Sequence, residues 1–590
     1  MDIEELWRKG RVSFIIISLS FLYLMSFSWL KWGDLIVDVG REMYVPLKLF
    51  EGKILYRDIF YIYGPLSPYF NALLFKIFGP HLYSLFLSGA LTAALTAFFT
   101  YKVSRFFLSV FFSTFVTAAF LFVLAFGQYV YFGNYNFILP YSYSSVHAAA
   151  LSLGALYLFF IWVKDGKYAW LCALFCALTL LSRLEMGLML IFSILATLAA
   201  FSVDSWFKLV SRLCLACAVS ALTFILFLSG KTVLQKSILD IWIKSTFPNF
   251  TFTGWLSGAS ALKPNLIVLL KNILHYAALC GIFYAGGYAL GLAKKVKPLF
   301  GRRCLFFLAA SISLGAGFLF YKRFFTYDLQ FRGLPVICLA AGAVSLVKRK
   351  SGPEYLFIFT LSLFSLLLTS RVLLRVWAGH YGFYILVPGL IIYYAFFLRI
   401  CADILKPGTA RNFFRSAFTF ILVLFIAGHF AVSRYCYNRR TLKVSSPKGS
   451  LYVFDNLRER GLKDLLGFLD ENTEKDETLV VFPEGVTINF LSGRENPLYY
   501  YSYHPVDLAV PEAEERVVSE MRANKVDYVV LTQRMTEEYG YPVFGRDYAA
   551  KILKYVSENY VLYRQFGPFP FTSGEYGTAL FKRVLPEGGA

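Results

Sequence analysis

Over the first 440 or so residues, apolar positions come in long unbroken blocks instead of alternating with polar ones. A helix of roughly 17–25 apolar residues matches the ~30 Å hydrocarbon core of a bilayer. Such blocks predict thirteen spanning helices, near 12–30, 83–101, 106–126, 146–163, 168–182, 187–203, 210–229, 266–291, 304–321, 333–347, 354–370, 381–399 and 416–433. The first is led by Arg8, Lys9 and Arg11 and lacks a small-residue cleavage site, so it reads as a signal-anchor. Ser67 to Pro80 is apolar but too short to span. With Ser67 as cap, Pro68 in the first turn and Gly79-Pro80 as the stop, it predicts a short interfacial helix.

Beyond about residue 440 the pattern changes. Amphipathic helices are expected at 456–472, 512–524 and 546–558, and strands at 478–482, 526–532, 560–565 and 577–582. This alternation implies a small α/β layer. The expected fold class is an all-α polytopic membrane domain of about 13 transmembrane helices (residues 1–440), followed by a small soluble α/β C-terminal domain (441–590).

Composition agrees. The chain is 57% hydrophobic and 16% charged, with a mean hydropathy of +0.57; a soluble domain is about 45–50% apolar and about 25% charged. Disorder, collagen, a coiled coil and a disulfide scaffold are excluded. The net charge of +21 is a sum of unlike parts. Residues 445–590 hold 16 basic and 22 acidic residues, and residues 1–444 hold 42 and 15. The acidic C-terminal part argues against a nucleic-acid binder. The basic excess marks topology, through clusters such as Lys102/Arg105, Lys294/Lys295/Lys297/Arg302/Arg303 and Lys348/Arg349/Lys350. With the N-terminus cytoplasmic, Lys and Arg are roughly threefold denser in inner than in outer segments, the sense of the positive-inside rule. An odd number of spans then puts the C-terminal domain outside. The expected location is the plasma (inner) membrane.

Candidate chemistry gathers on the outer side. The first outer loop, about residues 31–82, packs acids among aromatics. If helical, Asp38, Arg41 and Glu42 share one face. Arg57 and Asp58 precede Phe60, Tyr61, Tyr63 and Gly64-Pro65. A carboxylate at the membrane surface beside an apolar wall serves as a general base or binds a metal. Outward cations that break the positive-inside trend are candidate ligands for a lipid phosphate: Arg371 and Arg375, followed by His380 and Tyr381; Lys322, Arg323 and Arg332; and Arg183 with Glu185 in a short hairpin. Snorkelling to the interface explains the same cations without a ligand. The aromatic, uncharged stretch 127–147 fits an interfacial belt, or stacking on sugar rings.

The order N-terminal span, Asp38-x-Gly-Arg-Glu42-x-Tyr44, Leu49-x-x-Gly52-Lys53-x-x-Tyr56-x-Asp58, Gly64-Pro65-Leu66 and an aliphatic helix ending Phe78-Gly79 resembles the GT-C glycosyltransferases. It is most similar to the branch of protein O-mannosyltransferases and lipid A aminoarabinose transferases, over about residues 12–200. It departs from their pattern where Val39 follows Asp38 in place of an acid, and where Gly64-Pro65 replaces a Pro pair. The resemblance implies a transferase taking sugar from a polyprenyl-phosphate donor to a lipid, glycan or protein acceptor. It implies Asp38 as base, with Glu42 and Asp58 as supporting acids. Arg41, Arg57 and Tyr63 join the cations above as substrate contacts. It leaves a divalent cation (Mg or Mn) open, with Asp38 and Asp58 as ligands if one is used. Direct displacement at the sugar carbon would invert its configuration.

Two other classes remain at this point. A transporter or lipid flippase usually shows internal repeats and broken midplane helices, and no repeat is visible here. A polysaccharide polymerase or ligase would place its key Arg and His in late outer loops, with no need of acids after the first span.

Overall fold

The computed structural model describes residues 10–131, 134–203, 206–229, 250–293, 299–324, 328–510 and 512–584. Lys294, Lys295 and Lys297, expected in an inner loop, lie outside these residues.

The membrane part is built from helices α1 (Arg11–Phe27), α2 (Val39–Phe50), α3 (Leu66–Phe78), α4 (Leu82–Ser104), α5 (Val110–Ala119, continued as a π-helix to Ala125), α6 (Tyr143–Asp165), α7 (Ala169–Ser182), α8 (Leu184–Phe201) and α9 (Trp206–Ser229). These are followed by α10 (Phe250–Ser257), α11 (Leu262–Ala293), α12 (Leu299–Phe324), α13 (Leu334–Val347), α14 (Glu354–Thr369), α15 (Leu386–Ala395, continued irregularly to Ile404) and α16 (Thr409–Asn438). Eight are long and apolar enough to cross a bilayer, and five more are apolar over 10–17 residues. Each of the thirteen expected spans falls on one of these, so the protein is an integral membrane protein.

Three helices are not spans. The 13-residue α3 stops at Gly79, whose φ of 88° only glycine adopts readily. Its cap differs from expectation. Pro65 stands at the N-cap, while Ser67 is buried inside, bonded to Ser182 Oγ at 2.9 Å and to His147 Nδ1 at 3.0 Å. Gly64 explains the close seat of this segment, because a Cβ there would lie 2.0 Å from the Leu181 carbonyl oxygen. The short helices α2 and α10 were not among the predicted elements.

After α16 the chain forms the hairpin β1 (Arg440–Ser446) and β2 (Gly449–Phe454), then α17 (Leu457–Asn472), β3 (Leu479–Phe482), α18 (Thr487–Ser492), α19 (Ala513–Ala523), β4 (Tyr528–Thr532), α20 (Ala550–Asn559), β5 (Tyr560–Phe566) and β6 (Thr578–Arg583). A four-stranded sheet runs in the order β3-β4-β6-β5. β3 and β4 are parallel, and β6 is antiparallel to both of its neighbours. Every residue of β3 and β4 is buried, as expected for a parallel pair covered on both faces.

The first loop is clamped onto this α/β region. Asp34 accepts both guanidinium nitrogens of Arg458, at 2.5 and 2.9 Å, and its Oδ1 also accepts the amides of Ile36 and Val37. Lys48 bridges Glu51 and Glu495 at 2.9 and 2.8 Å. The Tyr44 hydroxyl donates to the Asn496 carbonyl at 2.9 Å. Gly40 in α2 touches α18 so closely that a Cβ would lie 2.7 Å from the Thr487 amide.

Candidate active site

Asp38 is the central residue of a γ-turn, with φ 66° and ψ −44° and a 2.7 Å bond from the Val39 amide to the Val37 carbonyl. A γ-turn of this hand is rare and strained, and a non-glycine residue holds it only where its surroundings insist. Those surroundings are on the page. Asp34 gathers the two preceding amides, and the Asp38 amide donates to Glu484 Oε1 at 2.8 Å. The Asp38 carboxylate does not cap its own helix. Its Oδ2 instead accepts the Tyr381 hydroxyl at 3.2 Å.

Glu484 reaches this place because β3 and β4 run side by side in one direction. Glu484 stands two residues past the end of β3, and Arg534 two residues past the end of β4. Parallel strands share a carboxyl end, and crevices form there. Glu484 Oε2 accepts Arg534 Nε at 2.9 Å and His504 Nε2 at 3.0 Å. Asp507 sits 3.7 Å from His504 Nδ1, and Arg534 also holds Glu538 at 2.5 Å.

The electrostatics separate the two carboxylates. Burial opposes ionisation of Glu484, but His504, Arg534 and the Asp38 amide outweigh it and hold Glu484 well below the usual carboxylate range. At Asp38, burial and then the charge on Glu484 push the carboxyl up to about 7, against the pull of Arg41, Arg534 and His504. Asp38 stays partly open to the site. A half-open carboxyl poised near neutrality is suited to taking a proton.

From Asp38 a chain of contacts leads inward. The Tyr381 carbonyl accepts the Tyr141 hydroxyl at 2.9 Å, and the Tyr141 carbonyl accepts Arg41 Nη2 at 2.6 Å. Tyr63 lies between two guanidiniums, 4.9 Å from Arg41 and 4.5 Å from Arg183. Glu185 Oε1 bridges Arg183 and Arg371 at 2.6 and 2.8 Å. Arg41, Arg183 and Arg371 thus face only Glu42 and Glu185 within this group, an excess of one positive charge.

A second cationic group adjoins Tyr381. His380 is 3% exposed, and neither ring nitrogen has a partner among the described residues. It lies against Trp255 and Trp377, at 5.3 and 6.1 Å between ring centres. Burial, then Arg375 and Arg332, push its pKa down to about 3, so the ring is neutral. Arg375 stacks on Trp255 at 4.7 Å and bonds that residue's carbonyl at 3.2 Å. Arg332 bonds the carbonyls of Asp328 and Leu374. Among the described residues, neither arginine is in an ion pair with a carboxylate.

The structure therefore brings together Asp38, Arg41, Tyr63, Arg183, Glu185, Arg371 and Tyr381, with Arg332, Arg375 and His380 alongside. Glu42 diverges from Asp38: it is buried, and accepts Arg41 Nε at 2.8 Å and the Tyr143 amide at 2.9 Å. Asp58 is not brought to Asp38. It pairs with Arg57 at 2.5 Å and accepts the Ile54 amide at 2.8 Å, within its own turn. Lys322 is exposed at the end of α12, and the Arg323 side chain lies outside the described residues. Among the described residues, no three His, Cys, Asp or Glu side chains gather in a metal-holding geometry.

Glu484, His504 and Arg534 were not among the sequence candidates. A signal existed for two of them, a charged residue just beyond each of two buried strands. From the 127–147 stretch, Tyr135 and Tyr141 pack on Tyr381 at 5.4 and 4.9 Å between ring centres, inside the site instead of in a belt.

Helical membrane part, juxtamembrane first loop and docked α/β region together define a GT-C-type fold. The archaeal oligosaccharyltransferase AglB from Archaeoglobus fulgidus, solved with an inhibitory peptide and a dolichol-phosphate, shares it at a TM-score of 0.50 and 16% identity. That match covers 97% of this chain and 74% of that one. ArnT from Cupriavidus metallidurans, solved with undecaprenyl phosphate, is similar at a TM-score of 0.42 and 13% identity, over 96% of this chain and 97% of that one. No protein-family model matches the sequence, and no curated protein matches it.

Proposed function

We propose that this protein is a membrane glycosyltransferase that moves a sugar from a polyprenyl-phosphate donor to a lipid, glycan or protein acceptor. The observation that carries this reading is one of placement. A carboxyl poised near neutrality, Asp38, bonds Tyr381, and the preceding residue, His380, feels the charges of Arg375 and Arg332, which are in no ion pair with a carboxylate among the described residues. A base and an anion cradle so close together suit a displacement in which the leaving group is a phosphate. That AglB, with the same fold, was solved with a dolichol-phosphate and a peptide supports this class of donor.

In the reaction, Asp38 takes the proton of the acceptor nucleophile as the new bond to the sugar carbon forms. The bond from that carbon to the phosphate oxygen breaks, and the electron pair leaves with the polyprenyl phosphate. Arg332 and Arg375 stabilise the departing charge, the task at which fixed donors are most effective. A single displacement of this kind inverts the sugar carbon. Arg183 and Arg371, already bridged by Glu185, shape the donor side beside Tyr63. Glu42 supports the site by fixing Arg41, and Asp58 with Arg57 holds the loop. Asp38 and Asp58 do not converge, and Glu484 is occupied by His504, Arg534 and the Asp38 amide, so no step is routed through a metal ion.

Residues 1–440 form the catalytic membrane domain in this reading, and residues 441–590 cover its mouth and brace Asp38. The N-terminus is cytoplasmic. The site and the C-terminal domain lie outside the plasma membrane. The deciding experiment is Asp38→Asn in purified protein supplied with polyprenyl-phosphate sugars. Transfer falls by at least a hundredfold while donor binding and melting temperature persist; turnover within threefold of the parent would sink the assignment.

A further inference from the structure

The far end of the membrane part holds a second cluster of arginines. α16 is 30 residues long, about 45 Å at 1.5 Å per residue. Its C-terminus leads into β1 beside the candidate active site, and its N-terminus lies at the opposite end of the bundle. There a cavity of about 350 Å³ is lined by Arg105, Arg399, Arg411, Arg415 and Asp403, with apolar side chains between them. That volume is within the range of small-ligand pockets, roughly 300–1,000 Å³.

The charges at this cavity do not balance. Asp403 serves both Arg411, at 2.6 Å, and Arg415, at 3.0 Å. Glu354 serves Arg399 at 2.8 Å. Arg105 donates to the Leu108 carbonyl at 2.8 Å and, among the described residues, is in no ion pair with a carboxylate. Four guanidiniums thus face two carboxylates. Among the described residues, the Nε atoms of Arg399 and Arg411 are buried without a partner. A buried donor left unbonded is costly, so the site is short of an acceptor. The start of α16 adds the positive end of a long helix. Exposed Phe111 (51%) and Ile404 (72%), on flanking segments, offer apolar surface for a hydrocarbon chain.

We propose that this cavity is a phosphate site, filled either by the headgroup of an anionic phospholipid or by a free phosphate. It is separate from the donor site and does not rest on the transferase reading. Guanidinium pairs recognise phosphate oxygens through parallel hydrogen bonds, which zwitterionic headgroups with a shielding ammonium answer less well.

The test uses the full-length protein in a neutral detergent. It is titrated separately with phosphatidylglycerol, phosphatidylcholine and inorganic phosphate, and read by native mass spectrometry and by melting temperature. Phosphatidylglycerol is expected to stay bound and raise the melting temperature, with phosphatidylcholine at least tenfold weaker. A rise with inorganic phosphate alone supports the same site with a soluble ligand. Arg411→Gln with Arg415→Gln should weaken the preferred ligand at least tenfold. If that pair fails to fold, Arg105→Gln, at an exposed residue in no ion pair among the described residues, should weaken it at least threefold. Equal retention of the two lipids without a phosphate effect overturns the proposal. So does unchanged affinity in the folded variants.

Discussion

The amide of Asp38 and the carboxylate of Glu484 are joined at 2.8 Å across 446 residues of sequence. The bond fixes a strained turn in the membrane part by a side chain from the last third of the chain. It also places a negative charge beside a carboxyl whose pKa is pushed up to about 7.

The first prediction concerns pH. If Asp38 acts as the base it must be ionised, so activity rises as pH increases through its pKa, about 7. Glu484 raises that pKa, while Arg41, Arg534 and His504 lower it. In Glu484→Gln the repulsion is gone and the cations remain, so the rising limb of the kcat/KM profile should move to lower pH by about one unit. A limb that stays in place or moves to higher pH would remove Glu484 from this role.

The second concerns the donor phosphate. Arg375→Ala and Arg332→Ala should each weaken donor binding tenfold or more, since charge-assisted bonds contribute about 1.5–3 kcal/mol. Arg371→Ala should do less, because Glu185 already occupies that guanidinium. Donor titration by tryptophan fluorescence measures all three. Equal losses in the three variants would contradict the ranking.

The third concerns docking. The Asp34–Arg458 pair is nearly buried, and removing Asp34 leaves the Arg458 guanidinium with Glu459, at 3.0 Å, as its one carboxylate among the described residues. Asp34→Asn should destabilise the contact by about 3 kcal/mol, seen as faster proteolysis between the membrane part and β1. Burial opposes ionisation of Asp34, but Arg458 and the Val37 and Ile36 amides hold its pKa below the usual carboxylate range. Its stabilisation is therefore present above about pH 4 and is lost as pH falls through the lowered value.

The fourth concerns orientation. Reporter fusions after residues 104 and 166 should report cytoplasm, and one after residue 440 the outside. An outside signal from the first two overturns the orientation.

The helices were legible because a span is written as an unbroken local run, and Gly79 and Gly166 close their helices with φ of 88° and 69°. Asp38 was legible as an acid in an aromatic loop. Its γ-turn was not, since Val37 and Val39 carry no turn signal. Asp38 and Glu42 were expected on one helical face. The helix instead starts one residue after Asp38, and the two carboxylates point to different neighbours. Glu484 and Arg534 escaped notice because strand pairing joins them over 50 residues. His380 was picked out by its neighbours in sequence, but only packing reveals that its nitrogens are unmet.

The sheet that carries Glu484 and Arg534 closes only when β6 pairs with β4, at residues 578–583. During synthesis the helices of the bundle emerge before this sheet. Until the C-terminal part is translated, the turn at Asp38 has only the brace from Asp34, and its carboxyl lacks the charges of Glu484, His504 and Arg534. On the proposed reading, the geometry around Asp38 is therefore finished only when the C-terminal part has folded onto the first loop.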